Sequence, residues 1–218
     1  MRTIAFVTQK GGSGKSTLAS SLSVAALEMK EKVAVVDMDP QASLLHWAKT
    51  RGASDVEVVA SGAAKLPAVL AQLKARGFTL AIIDTPGAEG PASSAAMVVA
   101  DLNIIPSRPS MFDLWASART RASLKETGGE FVFLLNQCPP AQQTARVRDG
   151  VETLEEMGGL ISPLILSRVD YQEAARCGWG VTELNPNGAA ADEMRHLWAS
   201  IRRRLARVKP RTAARRAA

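Results

Sequence analysis

The sequence predicts an α/β protein, a doubly wound and mostly parallel sheet flanked by helices on both faces. Short apolar runs alternate with helix-like stretches along all 218 residues, and most runs are continuous, as strands covered on both sides require. Aromatic residues are 5% of the chain against 46% hydrophobic, so the core is aliphatic and alanine-rich. That composition suits helices on a parallel sheet better than a sandwich or barrel. The length is enough for one well-cored domain and too short for two comfortable ones.

Strands are expected at residues 3–8, 33–37, 56–59, 80–83, 102–105, 131–135 and 161–166. After the first, Leu18, Leu22, Ala25 and Met29 recur at spacings of three and four and predict one buried helical stripe. After the second, Pro40 opens a helix over residues 41–50, with Asp37 and Asp39 as candidate caps. Met194, Leu197, Trp198, Ile201, Leu205 and Val208 give the last helix its apolar face. Trp47, Trp115 and Trp198 lie on helical stripes as core or interface anchors. The pattern stops after Pro210, so residues 1–208 read as a single domain and 209–218 as a basic, disordered tail.

No run is long enough to span a membrane, and the N-terminus enters a strand without a signal peptide. Cys138 and Cys177 have no CxxC spacing, and His46 and His196 are the only histidines, which argues against a dedicated metal cage. These features predict a reduced, cytoplasmic protein with unpaired thiols. The net charge of +6 is uneven. Arg202, Arg203, Arg204, Arg207, Lys209, Arg211, Arg215 and Arg216 leave 19 Lys and Arg against 21 Asp and Glu in residues 1–201. Such a tail is an electrostatic handle for nucleic acid or an anionic membrane, or else merely solvated.

The chemistry begins where the first strand ends. Gly11, Gly12, Ser13 and Gly14 let successive backbone N–H groups turn inward, and the helix starting near Lys15 aims its positive end at the same point. Lys15 can reach β- and γ-phosphates, while the Ser16 hydroxyl, followed by Thr17, suits Mg²⁺. The ordinary pattern asks for glycine five positions before Gly14, where this chain has Gln9. Asp84 and Asp39 each follow a strand, where doubly wound sheets place ligands, and can hold a Mg²⁺-bound water or orient the attacking one. Asn136, just past the sixth strand, is a candidate adenine contact. Pro106, Pro109 and Met111 either wall the base, form a dimer face, or make a rigid turn.

The string from Lys10 to Lys15 resembles the deviant phosphate loop of the ParA/MinD-type ATPases, and Asp39-Pro40-Gln41 and Ile82-Ile83-Asp84-Thr85-Pro86-Gly87 are similar to two further segments of that family. Asn103 to Ser110 looks like the proline-containing loop of the short plasmid-partition ParA proteins, and Arg168, Tyr171, Ala174 and Gly178 match a later segment more loosely. The resemblance spans residue 1 to about residue 208 and implies a P-loop ATPase using ATP and Mg²⁺. It implies that Lys10 crosses a dimer interface to the partner's phosphates, that Asp39 orients water, and that Ser16, Asp39 and Asp84 serve the metal. It further implies an ATP-dependent homodimer, a ParB-like adaptor, a nucleoid-associated location and nonspecific DNA binding, for which Arg168, Arg202, Arg203 and Arg207 are the candidates, with Arg176 beside them. Two other readings share the fold: a MinD-like membrane-cycling positioner, and a metabolic ligase of the dethiobiotin synthetase or cobyrinate amidase kind. Against the first, the last helix matches an ordinary buried one; against the second, no separate substrate set stands out.

Overall fold

The computed structural model describes residues 1–140 and 144–211. Six strands, β1 (Arg2–Phe6), β2 (Val33–Asp37), β3 (Glu57–Ala60), β4 (Leu80–Asp84), β5 (Leu102–Ser107) and β6 (Phe131–Leu135), form one sheet in the order β3-β2-β4-β1-β5-β6. Every neighbouring pair is parallel. Helices α1 (Lys15–Glu28), α2 (Ser43–Arg51), α7 (Val169–Arg176), α8 (Val181–Leu184) and α9 (Ala189–Arg207) cover one face. Helices α3 (Leu66–Ala75), α4 (Pro91–Val99), α5 (Met111–Glu126) and α6 (Ala145–Met157) cover the other. Alternation within β1 shows why both faces close: Ile4 and Phe6 enter one core, Ala5 the other. Trp47 and Trp198 are core residues, and Cys138 and Cys177 are free thiols.

Three expectations need correction. The run at 161–166 forms no strand. Ile161 N–H donates to Phe133 C=O at 2.8 Å and Ile165 N–H to Leu135 C=O at 3.0 Å, leaving isolated bridges at Leu160 and Leu166. Pro163 between them has no N–H to continue the ladder. Met29 leaves the α1 stripe: the helix ends at Glu28, Lys30 turns through a φ of 62°, and Met29 is exposed. Helix α2 starts at Ser43 rather than 41, because Gln41 N–H bonds to Asp39 Oδ1 at 2.9 Å and Ala42 takes a φ of 55°.

The chain end is stitched to the sheet's N-terminal edge. Arg2 donates to the carbonyls of Leu205 (2.8 Å) and Val208 (3.2 Å), and Asp101 accepts from Thr3 N–H and Arg211 N–H, each at 2.8 Å. The Arg211 guanidinium meets carbonyls at the ends of α4 (Met97, Val98) and α5 (Thr127, Gly128), where a cation complements two helix dipoles. Arg211 therefore belongs to the folded body; residues 212–218, including Arg215 and Arg216, lie outside the described residues.

Candidate active site

The glycine-rich loop joins β1, the third strand from one end of the sheet order, to the N-terminus of α1. Gly14 caps that helix at a φ of 88°, and a Cβ there would come within 2.5 Å of the Asn136 amide nitrogen. Asn136 uses that nitrogen to donate to Ser13 C=O at 2.7 Å, and Gln137 donates to Gly12 C=O at 3.1 Å, so β6 holds the loop from the side. Gly87 presses on the loop from the β4 side, where a Cβ would stand 2.7 Å from Gly11 Cα. A cavity of about 490 Å³ lies between, lined by the glycines, Lys15, Ser16, Thr17, Asp39 and Gly87.

Its charges are poorly compensated by the protein alone. Lys15 is buried and makes one long contact, Nζ to Lys10 C=O at 3.4 Å. Burial lowers its pKa, and the charges of Asp84 and Asp39 oppose that. Asp84 is fully buried at the end of β4; burial pushes its carboxyl up to about 7 despite a 2.6 Å hydrogen bond from Ser16 Oγ and the charge of Lys15. Its Oδ1 has no hydrogen-bond partner. Among the described residues no three His, Cys, Asp or Glu side chains form a metal cage. A hydroxyl and an under-partnered carboxylate fit Mg²⁺, which binds through few protein oxygens and completes its shell with water and phosphate. Bound there, the ion would supply positive charge to phosphate oxygens.

Asp37 and Asp39 separate by role. Asp37 is buried beside Asp84 across the β2–β4 register and accepts from the backbone N–H of Asp39, Leu44 and Leu45 at 3.0–3.2 Å. It caps α2 and fixes the loop. Asp39 has one local backbone bond and faces the cavity with Lys15.

Lys10 points away from its own loop cavity, to α5. Its Nζ pairs with Asp113 at 2.9 Å, and Arg108 Nε reaches the other oxygen of that carboxylate at 3.0 Å. Pro109 is buried near Gly150 of α6, Pro106 is a strand residue in register with Leu134, and Met111 is exposed. Asn136, Thr17, Arg168 and Tyr171 share a separate cavity of about 170 Å³ beside Gly14; Pro109 and Met111 do not line it.

The basic candidates divide between two ends of the molecule. Arg168 pairs with Glu193 at 2.8 Å near the glycine-rich loop, and Glu193 also accepts from the Tyr171 hydroxyl at 3.2 Å. Arg176 pairs with Glu173 at 2.8 Å. Arg202, Arg203 and Arg207 are exposed at the far end of α9, whereas Arg204 is half-buried and donates to Phe131 C=O at 3.2 Å. Asp113, Glu193 and Gln137 escaped the sequence reading. The Ser110-x-x-Asp113 spacing at a helix start is the one signal that could have found Asp113.

Residues 4–181 match the CobQ/CobB/MinD/ParA nucleotide binding domain. The carboxysome-distribution protein A of Halothiobacillus neapolitanus is 30% identical over 206 residues, covering 89% of this chain and 94% of that one. Among solved structures, apo McdA of Cyanothece superposes with a TM-score of 0.79 at 20% identity, over 94% of this chain and 99% of that one. The septum site-determining protein MinD of Pyrococcus horikoshii, solved in complex with Mg-ADP, gives 0.72 at 22% identity, over 92% and 95%.

Proposed function

The chain belongs to the CobQ/CobB/MinD/ParA nucleotide-binding family, and on that premise we propose that it is a positioning ATPase that binds ATP with Mg²⁺, dimerises when loaded, and holds nonspecific DNA while it distributes a cargo. The observation that carries the reading is the convergence of Lys15, Ser16 and Asp39 on one cavity under a glycine-rich loop, with the buried Asp84 behind it accepting from Ser16 Oγ. Lys15 and the loop N–H groups would neutralise triphosphate charge. Ser16 and Asp84 would hold the metal side, and Asp39 would orient water at the open side. The Halothiobacillus relative is named for carboxysome distribution, so a protein-bound cargo is as well supported as a plasmid.

For DNA, the support lies at the end of α9. Arg203, Arg204, Arg207 and Lys209 line an open groove of about 910 Å³, remote from the glycine-rich loop because it meets the sheet's opposite edge. Against the membrane reading, α9 buries Met194, Leu197, Trp198 and Ile201 against the domain, so that helix offers no apolar face to lipid. No helix among the described residues is long and apolar enough to cross a membrane. The test is ATP turnover and binding to random duplex DNA, for wild type and for R203E/R207E. Wild type should hydrolyse ATP and bind DNA with a log–log salt slope of about −4 to −5, as for roughly four to six phosphate contacts. The variant should lose most of that slope while keeping nucleotide affinity. Absence of ATP turnover under all conditions defeats the ATPase reading; unchanged DNA binding moves the site away from α9, and binding to anionic liposomes instead of DNA restores the membrane positioner.

A further inference from the structure

Glu193 of α9 stands behind the smaller cavity beside Gly14 without lining it, and both of its carboxylate oxygens are engaged. Oε1 accepts from Arg168 Nε at 2.9 Å, with Arg168 Nη2 at 2.8 Å from the same oxygen. Oε2 accepts from the Tyr171 hydroxyl at 3.2 Å and from Leu166 N–H at 3.4 Å. All three partners, Leu166, Arg168 and Tyr171, line that cavity of about 170 Å³. They come from the segment before α7 and from its first turn, so one carboxylate on α9 sets the wall that this segment presents. The Glu193 side chain is 12% exposed, and a charge so placed is costly unless it is paired and hydrogen-bonded.

The cavity suits the part of a nucleotide that the phosphate site leaves over. It shares Gly14 and Thr17 with the cavity that Lys15 and Asp39 line, so a ligand whose phosphates fill the one extends directly into the other. Leu18 and Leu166 supply apolar surface, and Asn136, Gln137 and Gln172 supply amides. Apolar walls with a few convergent hydrogen-bonding groups fit a nucleoside. Arg168 completes the wall with a planar guanidinium, which stacks on aromatic faces as well as donating. Its Nε and Nη2 are turned to Glu193, and among the described residues no hydrogen bond occupies Nη1, which leaves that edge for a ligand. The same pairing argues against DNA. Phosphate contacts draw on cations that release counterions, and a cation already neutralised by a carboxylate at 2.8 Å has little left to offer.

We propose that Glu193 is a positioning residue for nucleotide binding: it holds Arg168 and Tyr171 in the wall of the cavity beside Gly14, where Arg168 contacts the nucleoside half of ATP. The inference rests on the reading of this chain as an ATP-binding protein and adds how its nucleoside side is held. Titration calorimetry of the full chain with Mg-ATP and, separately, with Mg-tripolyphosphate tests it, because the second ligand carries the phosphates alone. Wild type should prefer ATP. E193Q keeps the shape and removes the charge; it should bind ATP roughly tenfold more weakly, as for loss of a charged hydrogen bond, while tripolyphosphate stays within about twofold of wild type. R168A should lose ATP affinity to a similar degree, and R168A/E193Q should be no weaker than R168A, since two residues acting through one contact are not additive. E193D retains the charge and should fall between wild type and E193Q; it carries the same comparison if E193Q does not fold. Weakening of ATP and tripolyphosphate by the same factor makes Glu193 a general support of the fold and overturns the proposal, as does an additive double variant. R168A with unchanged ATP affinity also overturns it, and a reduced DNA salt slope in that variant returns Arg168 to nucleic acid. Wild type that binds the two ligands equally overturns the nucleoside wall and leaves the ATP reading standing. Wild type that binds neither overturns the ATP reading and this inference with it.

Discussion

Asp84 and Asp113 are both buried carboxylates beside a lysine of the phosphate loop, one under it and one on its flank, and their surroundings are opposite. Asp84 has a hydroxyl and the charge of Lys15, too little to offset its burial, so its pKa rises to about 7 and one oxygen is unpartnered. For Asp113 burial also acts upward, but hydrogen bonds from Arg108, Ser110 and Lys10 outweigh it and hold the carboxyl below its ordinary value. The under-compensated carboxylate keeps one buried oxygen without a hydrogen-bond partner. The over-compensated one is a structural clasp between the loop's flank, the end of β5 and the start of α5.

That contrast can be broken most directly at the floor. Lys15→Ala removes the lysine that lines the cavity among the described residues and should weaken ATP binding by on the order of 100-fold or more in titration calorimetry, the cost of truncating a buried charge contact. Binding that persists would mean the floor is not a phosphate site. Asp39→Ala should keep nucleotide affinity and abolish turnover, because the residue faces the cavity and carries no structural bond beyond Gln41 N–H. Wild-type hydrolysis would return Asp39 to a turn-former.

On the flank the effects should be smaller. Asp113→Asn keeps shape and removes charge from a carboxylate whose two cations are partly exposed, so the loss should be about 1–2 kcal/mol, or roughly 2–8 °C in Tm. The smallest effect separates the two residues by pH alone, in ligand-free protein. Asp84 retains a proton in the folded state that the unfolded chain has released, so its contribution to stability falls as pH rises from about 4 to about 7. Asp113 is depressed, so its contribution is present above the unfolded carboxylate pKa and is lost as pH falls through the lower folded one. Denaturant titrations of Asp84→Asn should therefore lose the decline toward neutral pH, and those of Asp113→Asn should lose only the acid limb. Identical pH profiles for the two variants would erase the distinction.

The floor was legible in the sequence because its chemistry is local. Gly11 to Thr17 are contiguous, and Asp39 and Asp84 each come at or just after the end of an apolar run that reads as a strand. The flank was not, because Lys10 and Asp113 are separated by 103 positions and meet only when β5 lies beside β1. The position of Asn136 after a strand is legible, but its bond to Ser13 C=O, a partner 123 positions away, is not. The seventh apolar run had the composition of a strand, and one missing N–H at Pro163 kept it from joining the sheet.

Periodicity, glycine placement and strand-end carboxylates determine the class of fold, the glycine-rich loop and which residues lie at its floor, since each depends on residues near in sequence. Which way each charged side chain turns is a different matter. Lys10 goes to Asp113 rather than across its own loop, Arg168 goes to Glu193, and Arg211 closes the ends of two helices. Those choices depend on which carboxylate or carbonyl the packed sheet brings within hydrogen-bonding distance, and desolvation makes each pairing worth keeping only once the chain is folded around it.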